Sequence, residues 1–276
     1  MRNPRHARYA GPLRAAVLDW AGTAVDFGSQ APVQAFQSVF LGHGVEVTAG
    51  EVRAFMGLHK REHLHRLLAT ARVAEAWRQV HGRPPTADDE GALFAEFVPA
   101  QLMVLAETAQ VIPGVLESIR WMRSRRMRIG STTGYTAELL AVVAGEAARQ
   151  GYVPDAVASV SDVPAGRPAP WMMHRVLERL DIHPPASVVK FGDTPADIGE
   201  GLAAGTWTVG LINCGNEVGL SQAAWEALDP ADRVERTLAG RRRLEAAGAH
   251  YVVPDWSAVP GILDDIEARL RSEDAP

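Results

Sequence analysis

The stretch Leu13-Arg14-Ala15-Ala16-Val17-Leu18-Asp19-Trp20-Ala21-Gly22-Thr23 decides the fold. Its apolar run closes on an acid and then a glycine, the pattern of a buried strand that feeds a loop at its carboxyl end. Similar runs recur at 127–132, 156–160, 188–192, 206–212 and 250–253. Segments of helical spacing separate most of them, among them 137–150, 171–180 and 197–204. Strands that alternate with helices predict an α/β fold, a Rossmann-like parallel sheet covered on both faces. Ligands of such sheets bind beyond the carboxyl ends of the strands, so the polar residues there are the ones to inspect.

Residues 28–106 break the alternation. They contain no convincing strand, and Val33, Phe36, Val39, Phe40, Leu64, Leu67, Leu68, Leu93, Phe94 and Phe97 fall at helical spacing. The sequence therefore predicts a core domain from 1–27 and 107–276, with an α-helical cap domain inserted at 28–106. The Pro- and acid-rich stretch from Gly82 to Asp89 reads as a loop between two of the inserted helices.

Composition narrows the class. The chain has 276 residues, 47% apolar and 22% charged, enough for a large domain plus an insertion. A net charge of −5 without a basic stripe argues against nucleic acid and anionic membranes as partners. The runs at 123–128 and 241–243 read as solvated faces. The single cysteine, Cys214, allows no intramolecular disulfide and fits a reducing compartment. The first dozen residues read as a frayed tail without a signal-peptide core, and no apolar run is long enough to span a bilayer. A cytoplasmic protein is expected.

Four strand ends carry reactive groups. A carboxylate at Asp19 can serve as a covalent nucleophile, or can simply close the strand. Ser131-Thr132-Thr133-Gly134-Tyr135 offers hydroxyls and amides that suit phosphate oxygens, or that cap a helix. Arg167, in Gly166-Arg167-Pro168, can pair with a phosphate or with Asp19, or can lie on the surface. In Gly192-Asp193-Thr194-Pro195-Ala196-Asp197, Thr194 suits an N-cap, Pro195 the first helical position and Asp197 a capping box. Capping accounts for Asp197 but not for Asp193. Two such acids beside a phosphate site suit a hard cation such as Mg2+.

In order and spacing, these segments resemble the four motifs of the haloacid dehalogenase superfamily, covering residues 14 to about 205. The resemblance implies Asp19 as nucleophile, Thr133 as the second-motif hydroxyl, Arg167 as the third-motif cation, and Asp193 with Asp197 as the acidic fourth motif. Most phosphatases of that superfamily carry a second aspartate two residues after the nucleophile; here the position is Ala21, so an ordinary phosphate monoester loses its general acid.

The inserted segment contains Met56-Gly57-Leu58-His59-Lys60-Arg61-Glu62-His63. On a helix, Met56 and His63 would share a face with Lys60. A sheltered lysine can form a Schiff base with a carbonyl substrate, and His63 can move protons to and from that nitrogen; the alternative is a solvated basic face. An iminium beside a C–P bond accepts the electron pair of the departing phosphorus, so no oxygen-directed acid is needed.

With Asp19–Thr23, Met56-Gly57-Leu58, Gly130–Thr136, Pro164–Pro168, Gly192-Asp193-Thr194 and Trp207–Gly210, the chain resembles the phosphonatase family over nearly its whole length. Ser29 and His59 stand where that family's pattern has cysteine and leucine. The resemblance implies hydrolysis of phosphonoacetaldehyde to acetaldehyde and phosphate. Mg2+ would be held by Asp19, the Ala21 carbonyl and Asp193, with Asp197 ordering its water shell. Thr133 and Arg167 would hold phosphoryl oxygens, and Ala21, Met56, Gly134 and Tyr135 would line the substrate site. A homodimer through the cap is also implied. Because Lys60 lies on the insertion and Asp19 on the core, the cap must close to unite them, and hinges are expected at Gly28 and near Ala106. The rival readings are a phosphatase or phosphomutase acting on small phosphate esters, a metal-free dehalogenase, and a silent binding module.

Overall fold

The computed structural model describes residues 9–272 and 274–276, without the side chain of Ala106. Of the expected frayed start, residues 1–8 lie outside the described residues. The chain opens with strand β1 (Ala15–Leu18) and then enters five helices: α1 (Gln30–Gly42), α2 (Ala49–Arg53), α3 (Lys60–Leu68), α4 (Ala71–His81) and α5 (Ala87–Thr108). There follow α6 (Val115–Ser124), β2 (Arg128–Thr133), α7 (Ala137–Arg149), β3 (Ala156–Ser159), α8 (Trp171–Leu180), β4 (Val188–Gly192) and α9 (Pro195–Ala203). The last elements are β5 (Trp207–Leu211), α10 (Gln222–Ala227), α11 (Pro230–Ala246), β6 (Tyr251–Val253) and α12 (Val259–Arg271).

The six strands among the described residues are all parallel, in the order β3-β2-β1-β4-β5-β6, with Leu18 level with Ser131 on one side and Phe191 on the other. Alternation along β1 sends Ala16 and Leu18 into the apolar layer that holds Ile129, Phe191 and Trp256. Ala15 and Val17 face the opposite layer, which holds Met172, Val176 and Leu180. Burial on both faces is why these strands read as unbroken apolar runs.

Residues 28–106 form no strand, as expected, and pack around their own cluster of Phe36, Phe40, Leu64, Trp77 and Phe97. Helix α5 starts with a Thr86–Asp89 capping box and three acids in its first turn, which favour a helix N-terminus. It runs past position 106 and serves both bodies: Phe97 belongs to the helical cluster and Leu105 to the sheet layer.

Candidate active site

The strand order reverses between β1 and β4, and such a reversal opens a crevice at the carboxyl edge. Asp19 follows β1 directly, and its backbone N–H donates to the Phe191 carbonyl at 3.0 Å. Asp193 lies just beyond β4, so pairing of the two strands brings both acids together. Asp197 joins them from the first turn of α9. Oxygens of the three buried carboxylates all lie within 4.8 Å of one another.

Local chemistry fixes each acid. Asp197 Oδ2 accepts from Thr194 Oγ1 at 2.6 Å and from the Thr194 N–H at 3.3 Å, completing the predicted capping box. Its Oδ1 lies 2.9 Å from Arg167 and 3.1 Å from Lys190. Capping and site chemistry thus share one side chain. Asp193 accepts from the Asn216 N–H at 2.7 Å and from Thr23 Oγ1 at 3.0 Å. Gly22, at φ +80°, permits this approach: a Cβ there would come within 2.1 Å of Asp193 Oδ2.

Arg167 is buried, which excludes a surface role. Its Nη2 donates to Asp19 Oδ1 at 2.7 Å and to the carbonyl and hydroxyl of Thr132 at 2.9 Å each, while Nε donates to Glu200 at 2.9 Å. Lys190 Nζ donates to Thr132 Oγ1 at 2.8 Å and lies 3.3 Å from Glu200. Lys190 and Glu200 lie outside the strings that carry the sequence motifs, and Thr132, inside one of them, turns out to bridge Arg167 and Lys190. The signal was present for one of them: Lys190 stands inside the apolar strand Val-Val-Lys-Phe-Gly, where an unpaired charge is too costly to bury.

The charge balance is lopsided, with Asp19, Asp193, Asp197 and Glu200 facing Arg167 and Lys190. Burial, opposed by Arg167, pushes the Asp19 carboxyl up. Burial and the neighbouring Asp19 and Asp197 push Asp193 well up. Asp197 also suffers from burial, but Arg167 and Lys190 outweigh it and hold it low. Converging carboxylates with surplus negative charge fit a hard divalent cation.

Across from Asp19 lies Lys60, the first residue of α3, only 4% exposed. Burial, only partly offset by Asp19, lowers its pKa from 10.5 to about 8. Its Nζ sits 5.8 Å and 5.9 Å from the ring centres of Phe36 and Phe97. His63, one turn on, is fully buried against Phe36, with ring centres 4.1 Å apart. Burial and then Lys60's charge keep its imidazole neutral.

One expectation is corrected. Met56 does not share a helix with Lys60: α2 ends at Arg53 and α3 begins at Lys60. Between them Gly57 adopts φ +87°, and a Cβ there would come within 2.5 Å of Thr194 Oγ1. Close contact with the sheet end breaks the helix, and Met56 reaches the site from the intervening turn.

A small pocket is lined by Asp19, Ala21, Met56, Lys60, Thr133, Gly134, Tyr135 and Arg167 together with Ser29 and Thr194. Thr133 Oγ1 accepts from the Tyr135 N–H at 3.1 Å. The Tyr135 hydroxyl is buried without a hydrogen-bond partner among the described residues, and burial followed by the charge of Asp26 keeps it protonated. His63, Asp193 and Asp197 stand behind this lining.

A family model described as haloacid dehalogenase-like hydrolase matches residues 13–205. A phosphonoacetaldehyde hydrolase of Nitratidesulfovibrio vulgaris is 46% identical over 268 residues, covering 97% of this chain and 96% of the relative. One from Syntrophobacter fumaroxidans is 43% identical, covering 99% and 98%. The crystal structure of a phosphonoacetaldehyde hydrolase-like protein from Oleispira antarctica superposes with a TM-score of 0.97 at 37% identity, covering 100% of both chains. The chain belongs to the haloacid dehalogenase-like hydrolases and, within them, to the phosphonoacetaldehyde hydrolase family.

Proposed function

We propose that this enzyme hydrolyses the C–P bond of phosphonoacetaldehyde, giving acetaldehyde and phosphate. The observation that carries the reading is the placement of a buried lysine of depressed pKa and a strand-end aspartate in one small cavity. Lys60, as the free amine, condenses with the aldehyde and releases water. The Asp19 carboxylate attacks phosphorus, and the C–P electron pair moves into the iminium to leave an enamine. Protonation of the enamine carbon and attack of water return Lys60 and acetaldehyde. A second water opens the aspartyl phosphate to Asp19 and phosphate. One water is consumed overall, because the first condensation released one.

Arg167 and Thr133 hold phosphoryl oxygens in this reading, and the protonated Tyr135 hydroxyl is a donor for the bound substrate. Neutral His63 relays protons at the Lys60 nitrogen. Mg2+ would be held by Asp19, Asp193 and the Ala21 carbonyl, with Asp197 ordering its water, and would supply charge neutralisation at the phosphoryl group. Ala21 lacks the general acid that a phosphate ester would need, which favours this reading over a phosphatase or phosphomutase.

Residues 28–106 act as a cap that seats Lys60 over Asp19, with hinges at Gly28 and near Ala106. The exposed Leu41, Val80 and Met103 on its helices support a homodimer through the cap, and elution as a monomer on gel filtration would count against it. The single buried Cys214 suits a cytoplasmic setting, and among the described residues no helix is long and apolar enough to cross a membrane.

The deciding experiment follows acetaldehyde and phosphate release from phosphonoacetaldehyde, with and without Mg2+, and traps the imine with borohydride. Equimolar, metal-dependent products and a reduced adduct at Lys60 are expected. A folded protein that releases neither product would overturn the reading.

A further inference from the structure

The inserted helices meet the sheet end through two residues that the steps above do not use. Arg53 ends α2, and its Nη1 donates to the Gly28 carbonyl at 2.7 Å and to Asn216 Oδ1 at 3.3 Å. Asn216, in the loop after β5, is 3% exposed and returns the contact, with Nδ2 donating to the Arg53 carbonyl at 3.2 Å. The Asn216 backbone N–H donates to Asp193 Oδ2. The Arg53 side chain also lies against Gly219, where a Cβ would sit 2.5 Å from its Nε. One loop residue therefore grips a site carboxylate with its backbone and the helical segment with its side chain.

We propose that Arg53 and Asn216 are positioning residues that couple the seating of the inserted helices, and with them Lys60, to cation binding at Asp193. The inference rests on the reading of Asp193 as a metal ligand. A bound cation fixes the Asp193 carboxylate, and that carboxylate orients the Asn216 N–H through a charge-assisted bond. The reciprocal side-chain bonds of Asn216 then hold the end of α2, from which a short turn leads to Lys60. The Gly28 carbonyl, at the other crossing between the two bodies, is held by the same guanidinium.

Amide hydrogen exchange without substrate tests the coupling, with Mg2+ binding followed in parallel by calorimetry. In the wild-type chain Mg2+ should slow exchange in α2 and at the start of α3 by about tenfold, the scale of two hydrogen bonds gained by a local opening unit. Asn216→Ala keeps the backbone bond to Asp193 and loses the side-chain bridge. It should bind Mg2+ within about threefold of wild type, yet show less than about a twofold slowing in α2. Arg53→Gln, which leaves Asn216 in place, should behave alike. A merely structural role would speed exchange equally with and without Mg2+, and that result would overturn the proposal, as would undiminished slowing in both variants. Calorimetry showing no Mg2+ binding to the wild-type chain would remove the metal reading and the coupling with it. Bound Mg2+ without any slowing in α2 would remove the coupling alone.

Discussion

Burial of Lys60, the amine that forms the imine in the proposed mechanism, carries a cost in stability. The folded pKa is about 8 against 10.5 for a free lysine, so between those values the unfolded chain binds a proton that the folded chain does not. Stability therefore rises with pH across that window, and the penalty is fully present below about pH 8. Lys60→Met should raise folding stability at pH 7 by about 3 kcal/mol, while abolishing C–P cleavage; thermal unfolding with product assays reads both effects. Lys60→Arg keeps the charge but cannot form the imine, and should be equally inactive. In the wild-type enzyme kcat/KM should climb with pH and level off above about 8, as the free amine becomes the major form. Asp19, Arg167, Asp193 and Lys60 were legible because each sits in a short string with its own chemistry. Glu200 was not: on α9 it reads as one more acid of an amphipathic helix, and only folding brings it to Arg167.

Helix α1 shows how an element can be capped without spending the residue at its cap. Ser29 occupies the N-cap in a left-handed conformation and makes no capping bond; its hydroxyl points to Asp193 at 3.4 Å. The first amides are taken instead by Asp26, whose two oxygens accept from Gln30 at 2.9 Å and Ala31 at 3.0 Å. Asp26→Ala should fray the start of α1, read as faster amide exchange at Gln30 and Ala31, because both amides lose their acceptor. The turn before α3 is equally exacting. Gly57→Val places a β-branched residue at positive φ and drives its Cβ into Thr194, so the inserted segment must move off the sheet end. A fall in kcat/KM of about tenfold or more is expected, since misplacement by about 1 Å can cost a hundredfold; unchanged turnover would contradict seating of Lys60 by this contact. The six strands were readable because burial on both faces leaves an apolar run bounded by turn residues. The break at Gly57 was not, because its cause is a contact with Thr194, distant in sequence.

Over the whole molecule, the sheet gathers acids at one edge that the folded chain alone cannot balance. Burial, reinforced by Asp19 and Asp197, raises the Asp193 pKa well above its unfolded value of 3.8. From that value upward the unfolded chain loses this proton before the folded chain does, so without a divalent cation the contribution of Asp193 to stability falls as pH rises. A bound cation removes the penalty by stabilising the ionised carboxylates in the folded state alone. Mg2+ at about one hundred times its Kd should add about 2.7 kcal/mol. That corresponds to an increase in Tm of roughly 5–10 °C for a chain of this size. Chelation should reverse it. Asp193→Asn separates this account from generic salt effects. It removes a ligand and a buried charge together, so the variant should melt above the metal-free wild type and gain almost nothing from Mg2+. If Mg2+ stabilised the variant as much as the wild type, the cation would be binding elsewhere and the acidic cluster would need another partner. If the metal-free variant melted below the metal-free wild type, the hydrogen bonds that Asp193 accepts from Thr23 and Asn216 would outweigh its repulsion by Asp19 and Asp197.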